Sequence, residues 1–118
     1  MKIAIDAMGG DFAPRAPIEG VKLAYEELGE LLDVYLVGNK EVIKKFSIPE
    51  AFKIVDARQV VEPDEPPMEA YRKKKDSSIA LSIELQKNKE VDSSLSAGNT
   101  GAIVAFSILS LKRLPGVD

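Results

Sequence analysis

The sequence contains neither cysteine nor histidine. Without cysteine there can be no disulfide, no thiolate nucleophile and no thiolate ligand for zinc, and without histidine the commonest general base and transition-metal ligand is missing. Ser-His-Asp and Cys-His catalysis are therefore excluded within this chain.

An excess of basic charge and a long hydrophobic run are absent as well. Sixteen basic residues stand against nineteen acidic ones, a net charge of -3, and the three tyrosines are scattered, so nothing indicates a nucleic-acid partner. The longest nearly apolar run, from Gly101 to Leu111, is shorter than the roughly 18 to 20 residues of a membrane helix. With no apolar signal region at the N-terminus, we predict a cytoplasmic protein.

The residues present alternate between strand-like and helix-like patterns. A chain of 118 residues with 45% apolar and 30% charged residues is typical of one soluble domain. Apolar runs predict strands at 3–5, 33–37 and 52–55, with helices between them. Serines dilute the pattern at 93–96, but its position between a helix and a glycine loop predicts a fourth strand there. Strands alternating with helices predict an α/β fold with a mainly parallel sheet, whose ligand sites lie in loops at the carboxyl ends of the strands.

The predicted helices have recognisable ends and faces. The first opens at Pro14 and Pro17, and Gly29 terminates it. Asn39 can cap a short helix that runs to Phe46. The remaining helix predictions are Met68–Lys74, a helix capped by Asp76, Ser77 or Ser78, and a buried helix over Thr100–Leu114. The predicted apolar faces consist of Ile18, Val21, Tyr25 and Leu28 in the first helix and Ile79, Leu81, Ile83 and Leu85 in the capped one.

The run SAGNTGA, from Ser96 to Ala102, follows the fourth predicted strand and leads into a helix. Gly98 and Gly101 would let a ligand approach the backbone, and the unpaired amides at a helix N-terminus favour an anion. The side chains of Asn99 and Thr100 add donors, so a phosphate could be held there. The alternative is that Ser96, Asn99 or Thr100 only caps the helix and that the glycines allow tight packing.

The run DAMGGD follows the first strand. Gly9 and Gly10 permit a tight turn, which Asp6 and Asp11 flank with carboxylates. Two aspartates could help to bind Mg²⁺ together with phosphate oxygens. We favour the interpretation that they brace the loop by accepting backbone hydrogen bonds, and we predict no metal and no cofactor.

The run RKKKDSS, from Arg72 to Ser78, is the densest basic cluster. Such a run is typical of a solvated helix end. Alternatively, its cations could meet an anionic substrate or an acidic partner while Ser77 and Ser78 contribute hydroxyl groups.

These three motifs, in this order, resemble the bacterial phosphate acyltransferases of phospholipid synthesis, the PlsX family. The resemblance covers the whole chain, which corresponds to about the N-terminal third of a family member. It implies a partial three-layer α/β/α fold, similar to isocitrate dehydrogenases and phosphotransacetylases. It also implies an acyltransferase that moves a fatty acyl group from acyl carrier protein to inorganic phosphate.

The resemblance further implies a homodimer and peripheral association with the cytoplasmic membrane, the latter through sequence outside this chain. Combining the motifs with the resemblance, we predict a single α/β segment over residues 1–118. The candidate catalytic residues are Asn99, Thr100 and Lys75. The candidate phosphate-binding residues are Ser96, Gly98, Gly101, Lys74, Ser77 and Ser78, and the candidate loop-bracing residues are Asp6, Gly9, Gly10 and Asp11.

Two other functions fit the same residues. The chain could be a phosphate- or nucleotide-binding module without catalysis, or a structural fragment that folds only with a complement.

Overall fold

The structure, a computed structural model, describes residues 1–98. The predicted helix over Thr100–Leu114 lies outside the described residues. The strands are β1 (Lys2–Asp6), β2 (Asp33–Gly38), β3 (Lys53–Asp56) and β4 (Ser93–Leu95). The helices are α1 (Arg15–Leu28), α2 (Lys40–Ile43), α3 (Pro67–Lys73) and α4 (Ser78–Lys87), and a single 3-10 turn covers Gly29–Leu31.

The four strands form one parallel sheet in the order β3-β2-β1-β4. The central strand β1 pairs with β2 from Lys2 to Asp6 and with β4 from Ile3 to Ile5. Central parallel strands are buried on both faces, which explains the nearly continuous apolar run in β1. The predicted parallel α/β fold is confirmed.

Helices cover both faces of the sheet. On one face, Ile18 and Val21 of α1 and Ile43 of α2 pack with Ile5 and Leu36 of the strands. On the other face, Leu81 and Leu85 of α4 pack against a cluster that contains Ala4, Val37, Ala57 and Val91. This layering is part of a three-layer α/β/α arrangement.

The direction of travel along the sheet reverses beside β1. The chain moves from β1 through β2 to β3 in one direction, and it then crosses back over the opposite face through α3 and α4 to place β4 on the other side of β1. Opposite faces are what right-handed connections require when the direction reverses. The gap between the carboxyl ends of β1 and β4 is therefore a topological switch point, where open α/β sheets bind ligands.

Most helix ends lie where the sequence predicts them. Gly29 adopts a φ of 53° after α1, a left-handed conformation that a glycine accepts without strain. The Asn39 side chain caps α2 by accepting from the amides of Glu41 and Val42. The prediction that this helix continues to Phe46 is wrong, because the chain past Ile43 follows shorter turn-type hydrogen bonds.

The apolar residues of the other helices are less uniform than predicted. Leu28, predicted on the buried face of α1, is 47% exposed. The apolar residues of α4 divide between two clusters, since Ile79 and Ile83 pack with α3 while Leu81 and Leu85 pack on the sheet. None of the helices within residues 1–98 has the length and apolar character of a membrane-spanning segment.

Gly20 gives a test of helix α1. No heavy atom lies within 4 Å of a Cβ added there, and a glycine in a helix interior costs roughly 0.5 to 1 kcal/mol relative to alanine. We expect Gly20→Ala to raise the free energy of unfolding by about that amount, measured by urea denaturation. A lower stability would show that the open space beside Gly20 is needed.

Candidate functional site

Two glycine-containing loops, here called the glycine loops, follow β1 (DAMGGD, 6–11) and β4 (SAGNTGA, described as far as Gly98). A hydrogen bond joins them at the switch point. Asp6 ends β1 and is only 3% exposed. Its Oδ2 accepts from Ser96 Oγ at 2.6 Å, and its Oδ1 accepts from the Met8 amide at 3.1 Å. Both carboxylate oxygens of this buried group therefore have donors, as the bracing interpretation requires.

Ser96 and Gly98 complete this junction. Ser96 Oγ, which donates to Asp6, accepts from the Gly98 amide at 3.1 Å. The Gly98 amide, predicted to face phosphate, is thus already engaged within its own loop. The predicted donors Asn99, Thr100 and Gly101 lie outside the described residues.

Glycines allow the two loops to pack backbone against backbone. A Cβ at Gly9 would lie 2.7 Å from Asp6 Oδ2, 2.8 Å from Ser96 Oγ and 3.0 Å from the Gly98 nitrogen. Gly10 has a φ of 98°, and a Cβ there would lie 3.2 Å from the Ala97 carbonyl oxygen. A side chain at either position would push the loops apart or strain the turn.

A cavity of about 230 Å³ lies beside this junction. The glycine loops contribute Met8, Gly10, Asp11, Ala97 and Gly98 to its lining, and the opposite wall is the segment 60–63. The cavity is large enough for a small anion together with water, since a water molecule occupies about 30 Å³ in the liquid. The cavity thus borders Ala97 and Gly98 of the predicted phosphate loop.

The Met8 side chain packs against the end of β2. A Cβ at Gly38 of β2 would lie 2.8 Å from Met8 Cγ and 3.1 Å from Ile43 Cδ1. Gly38 therefore provides the space into which the Met8 side chain packs, and Met8 in turn forms part of the cavity lining.

Lys74 fixes the opposite wall of the cavity. Its ammonium group forms an ion pair with Glu65 and donates to the Val60 carbonyl oxygen at 2.7 Å. Glu65 also accepts from the Glu62 amide at 2.8 Å. Lys74 was predicted to touch phosphate; within the described residues it contacts the segment that forms the cavity wall.

Lys75 and the two serines that follow the basic residues also have local partners. Ser77 is buried, and its Oγ caps α4 by accepting from the Ala80 amide at 3.2 Å. Buried Ser78 donates its amide to the Gln59 carbonyl, which ties α4 to the segment before the cavity wall. The Lys75 ammonium lies 3.5 Å from the centre of the Tyr71 ring, a cation-π contact.

The acidic residues at the junction do not form a metal cluster among residues 1–98. No group of three or more histidine, cysteine, aspartate or glutamate side chains lies within reach of one metal ion in that part of the chain. Asp11 is exposed and borders the cavity. The magnesium interpretation therefore gains no third acidic ligand from the described residues.

Sequence reasoning missed the segment 60–63 and Met8. Val60 and Val61 carry no polar side chain, and an apolar residue such as Met8 in a loop gives no sign of a binding site. The signal that could have found the segment is its place between β3 and α3, where the acidic, proline-rich loop 62–66 begins. That connection must cross the switch point to reach β4.

The whole chain, residues 1–118, matches the family described as "Fatty acid synthesis protein". This chain belongs to that family. The predicted resemblance is thereby confirmed. The described parts of the motifs that carried it lie at the junction of β1 and β4 and on the segment from α3 to α4.

The curated relatives of this family member are named phosphate acyltransferase. Those of Thermoanaerobacterium thermosaccharolyticum and Thermoanaerobacter pseudethanolicus are 45% and 46% identical to it over 119 residues. That of Desulfitobacterium hafniense is 45% identical over 122 residues. Each match covers 100% of this chain and 35% or 36% of the relative, so the chain spans about a third of their length.

Gly9→Ala tests the packing of the loops. The added methyl group must displace the Asp6–Ser96 hydrogen bond, so we expect the free energy of unfolding to fall by about 1 to 3 kcal/mol. The same substitution at Gly20 is the matched control, and it is expected to change stability in the opposite direction. Equal effects of the two substitutions in urea denaturation would contradict the close approach at Gly9.

The Glu65–Lys74 pair predicts a pH dependence. The Glu62 amide, followed by the Lys74 ammonium, lowers the pKa of Glu65 below its ordinary value of 4.5. A carboxyl group whose pKa is lower in the folded state stabilises the fold above its unfolded pKa, and this contribution is lost as the pH falls through the folded value. We expect Glu65→Gln to lower the free energy of unfolding by about 1 kcal/mol at pH 7.

The difference between Glu65→Gln and wild type should shrink as the pH falls below 4.5. Exposed Glu84 on α4 is the control, because its side chain makes no ion pair with another described residue. A stability difference for Glu65→Gln that is constant from pH 7 to pH 3, in denaturation series, would show that the carboxylate charge contributes nothing.

Proposed function

We propose that this chain is the N-terminal α/β segment of an enzyme that transfers a fatty acyl group to inorganic phosphate and that it carries the phosphate site. The observation that carries the proposal is the junction of the two glycine loops at the switch point beside β1. Two sequence motifs that lie far apart in the chain meet there, at the edge of the sheet where ligands bind. The name shared by the relatives supports the chemistry.

The reaction suits a chain without cysteine and histidine. A phosphate oxygen attacks the carbonyl carbon of an acyl thioester, the carbon–sulfur bond breaks, and the thiolate leaves and takes up a proton. The products are an acyl phosphate and a free thiol. Because phosphate is itself the nucleophile and the thioester is already activated, the protein has to orient the two substrates and stabilise the tetrahedral oxyanion.

The roles of individual residues follow from this division of work. Asn99 and Thr100 hold phosphate with backbone amides of the loop that begins at Ser96. Asp6 and Ser96 hold that loop against DAMGGD. Lys74 acts as a positioning residue through Glu65 and Val60, whereas Lys75 lies in an exposed position from which it can approach an anionic substrate.

The proposal includes the partners that the family resemblance implies. The acyl donor is the thioester of acyl carrier protein, and the enzyme is a cytoplasmic homodimer that associates peripherally with the membrane through sequence outside this chain. The exposed cations Arg72, Lys73 and Lys75 suit an acidic carrier protein, since opposite charges steer association.

The phosphate loop is tested by Asn99→Ala and Thr100→Ala in the protein. Each substitution removes a donor to phosphate, and we expect the affinity for inorganic phosphate to fall about tenfold or more, as titration calorimetry would measure. Formation of acyl phosphate from the acyl carrier protein thioester should fall in parallel.

The control is Glu26→Ala on the exposed side of α1. Unchanged phosphate affinity in both loop variants would reject the site. Phosphate binding without formation of acyl phosphate in wild type would favour the non-catalytic binding module, and a chain that shows no cooperative unfolding would favour the structural fragment.

A further inference from the structure

A second, larger cavity begins at the same loop junction and runs along the sheet. This groove has a volume of about 730 Å³ and lies on the face of the sheet that carries α1. Its floor consists of Ile3 and Ile5 of β1 and Leu95 of β4. Ile5 and Leu95 are register partners, so they form one continuous apolar surface.

The wall of the groove is a helix face with small side chains. The residues of α1 and of the turn before it that line the groove include Ala13, Ala16, Pro17, Gly20 and Ala24. Ala16, Gly20 and Ala24 are spaced by four residues and therefore share one face of the helix. Because these side chains are small, the space between helix and strands stays open.

The two ends of the groove differ in chemistry. One end is bordered by Asp6, Gly9, Gly10, Ser96 and Ala97, the residues of the loop junction. The other end is bordered by Met1, Leu28 and Leu32. These ends are separated by the length of β1, about 16 Å at roughly 3.3 Å per residue.

The apolar residues of the groove call for an apolar occupant. Leu95 of the edge strand β4 is 57% exposed, and it contributes apolar surface to the groove. A molecule that fills the groove and also reaches the loop junction must have a polar head and a long apolar tail. A fatty acyl chain with its carbonyl carbon at the junction has that form.

We propose that this groove binds the acyl chain of the substrate, with the reacting carbonyl at the loop junction and the methyl end toward Leu28 and Leu32. The proposal rests on the proposed function, and it adds the location of the tail and the residues that limit its length. Gly20, midway along the wall, is the position where a side chain would shorten the groove.

The direct test compares inorganic phosphate with octyl, decyl and dodecyl phosphate in calorimetric titrations of the protein. Each methylene transferred from water into an apolar site gains up to about fourfold in affinity. We expect the affinity to rise roughly two- to fourfold per added methylene up to dodecyl phosphate.

Gly20→Leu tests the location of the tail. Gly20 lines the groove, and a Cβ there meets no heavy atom within 4 Å, so a leucine can take up groove space without a clash at its Cβ. We expect the ratio of the affinity for dodecyl phosphate to that for inorganic phosphate to fall at least tenfold. Glu26→Leu adds the same side chain to the exposed side of α1 and should keep the wild-type ratio.

Two results would overturn the proposal. An affinity independent of alkyl length would show that no alkyl tail enters the groove, as expected if a second copy of the chain covers it. A ratio that Gly20→Leu leaves unchanged would place the tail elsewhere. Failure of the proposed function is distinguishable from both, because it would appear as an absence of acyl phosphate formation in a wild-type protein that still prefers longer alkyl phosphates.

Discussion

The hydrogen bond from Ser96 to Asp6 connects two loops that are 90 residues apart in sequence. It forms because β1 and β4 are adjacent and parallel, with Ile5 opposite Leu95, so that the next residue of each strand emerges at the same edge. The carboxylate is buried and accepts hydrogen bonds on both oxygens. Removing one donor would leave a buried charge underpaired, which is costly.

The strands and the helix ends could be predicted from the sequence because they depend on local signals. The apolar run from Ile3 to Ile5 marks the strand β1. Asn39 and Ser77 cap the helices that follow them directly. The strand order depends on pairings between distant segments, and so the switch point became evident only with the sheet. The loop motifs were evident from the sequence and carried the family resemblance, but neither the motifs nor the resemblance showed how the loops touch.

The role of Lys74 shows the same limit at the level of a single side chain. The sequence displays four consecutive cations and predicts that some of them meet an anion. The partner of Lys74 is Glu65 in the acidic, proline-rich loop nine residues away, a pairing that depends on how α3 folds back. The fold gives Lys74 a carboxylate partner, and its contact with phosphate stays a prediction.

The packing of Met8 against Gly38 affects the shape of the cavity of about 230 Å³ beside the glycine loops. Any residue larger than glycine at the end of β2 would clash with the Met8 side chain, and the shift of Met8 would change the lining of the cavity beside the glycine loops. The width of that space is thus set partly by a strand that does not carry either loop. Among homologous proteins, a change at position 38 should be accompanied by a shorter side chain at position 8.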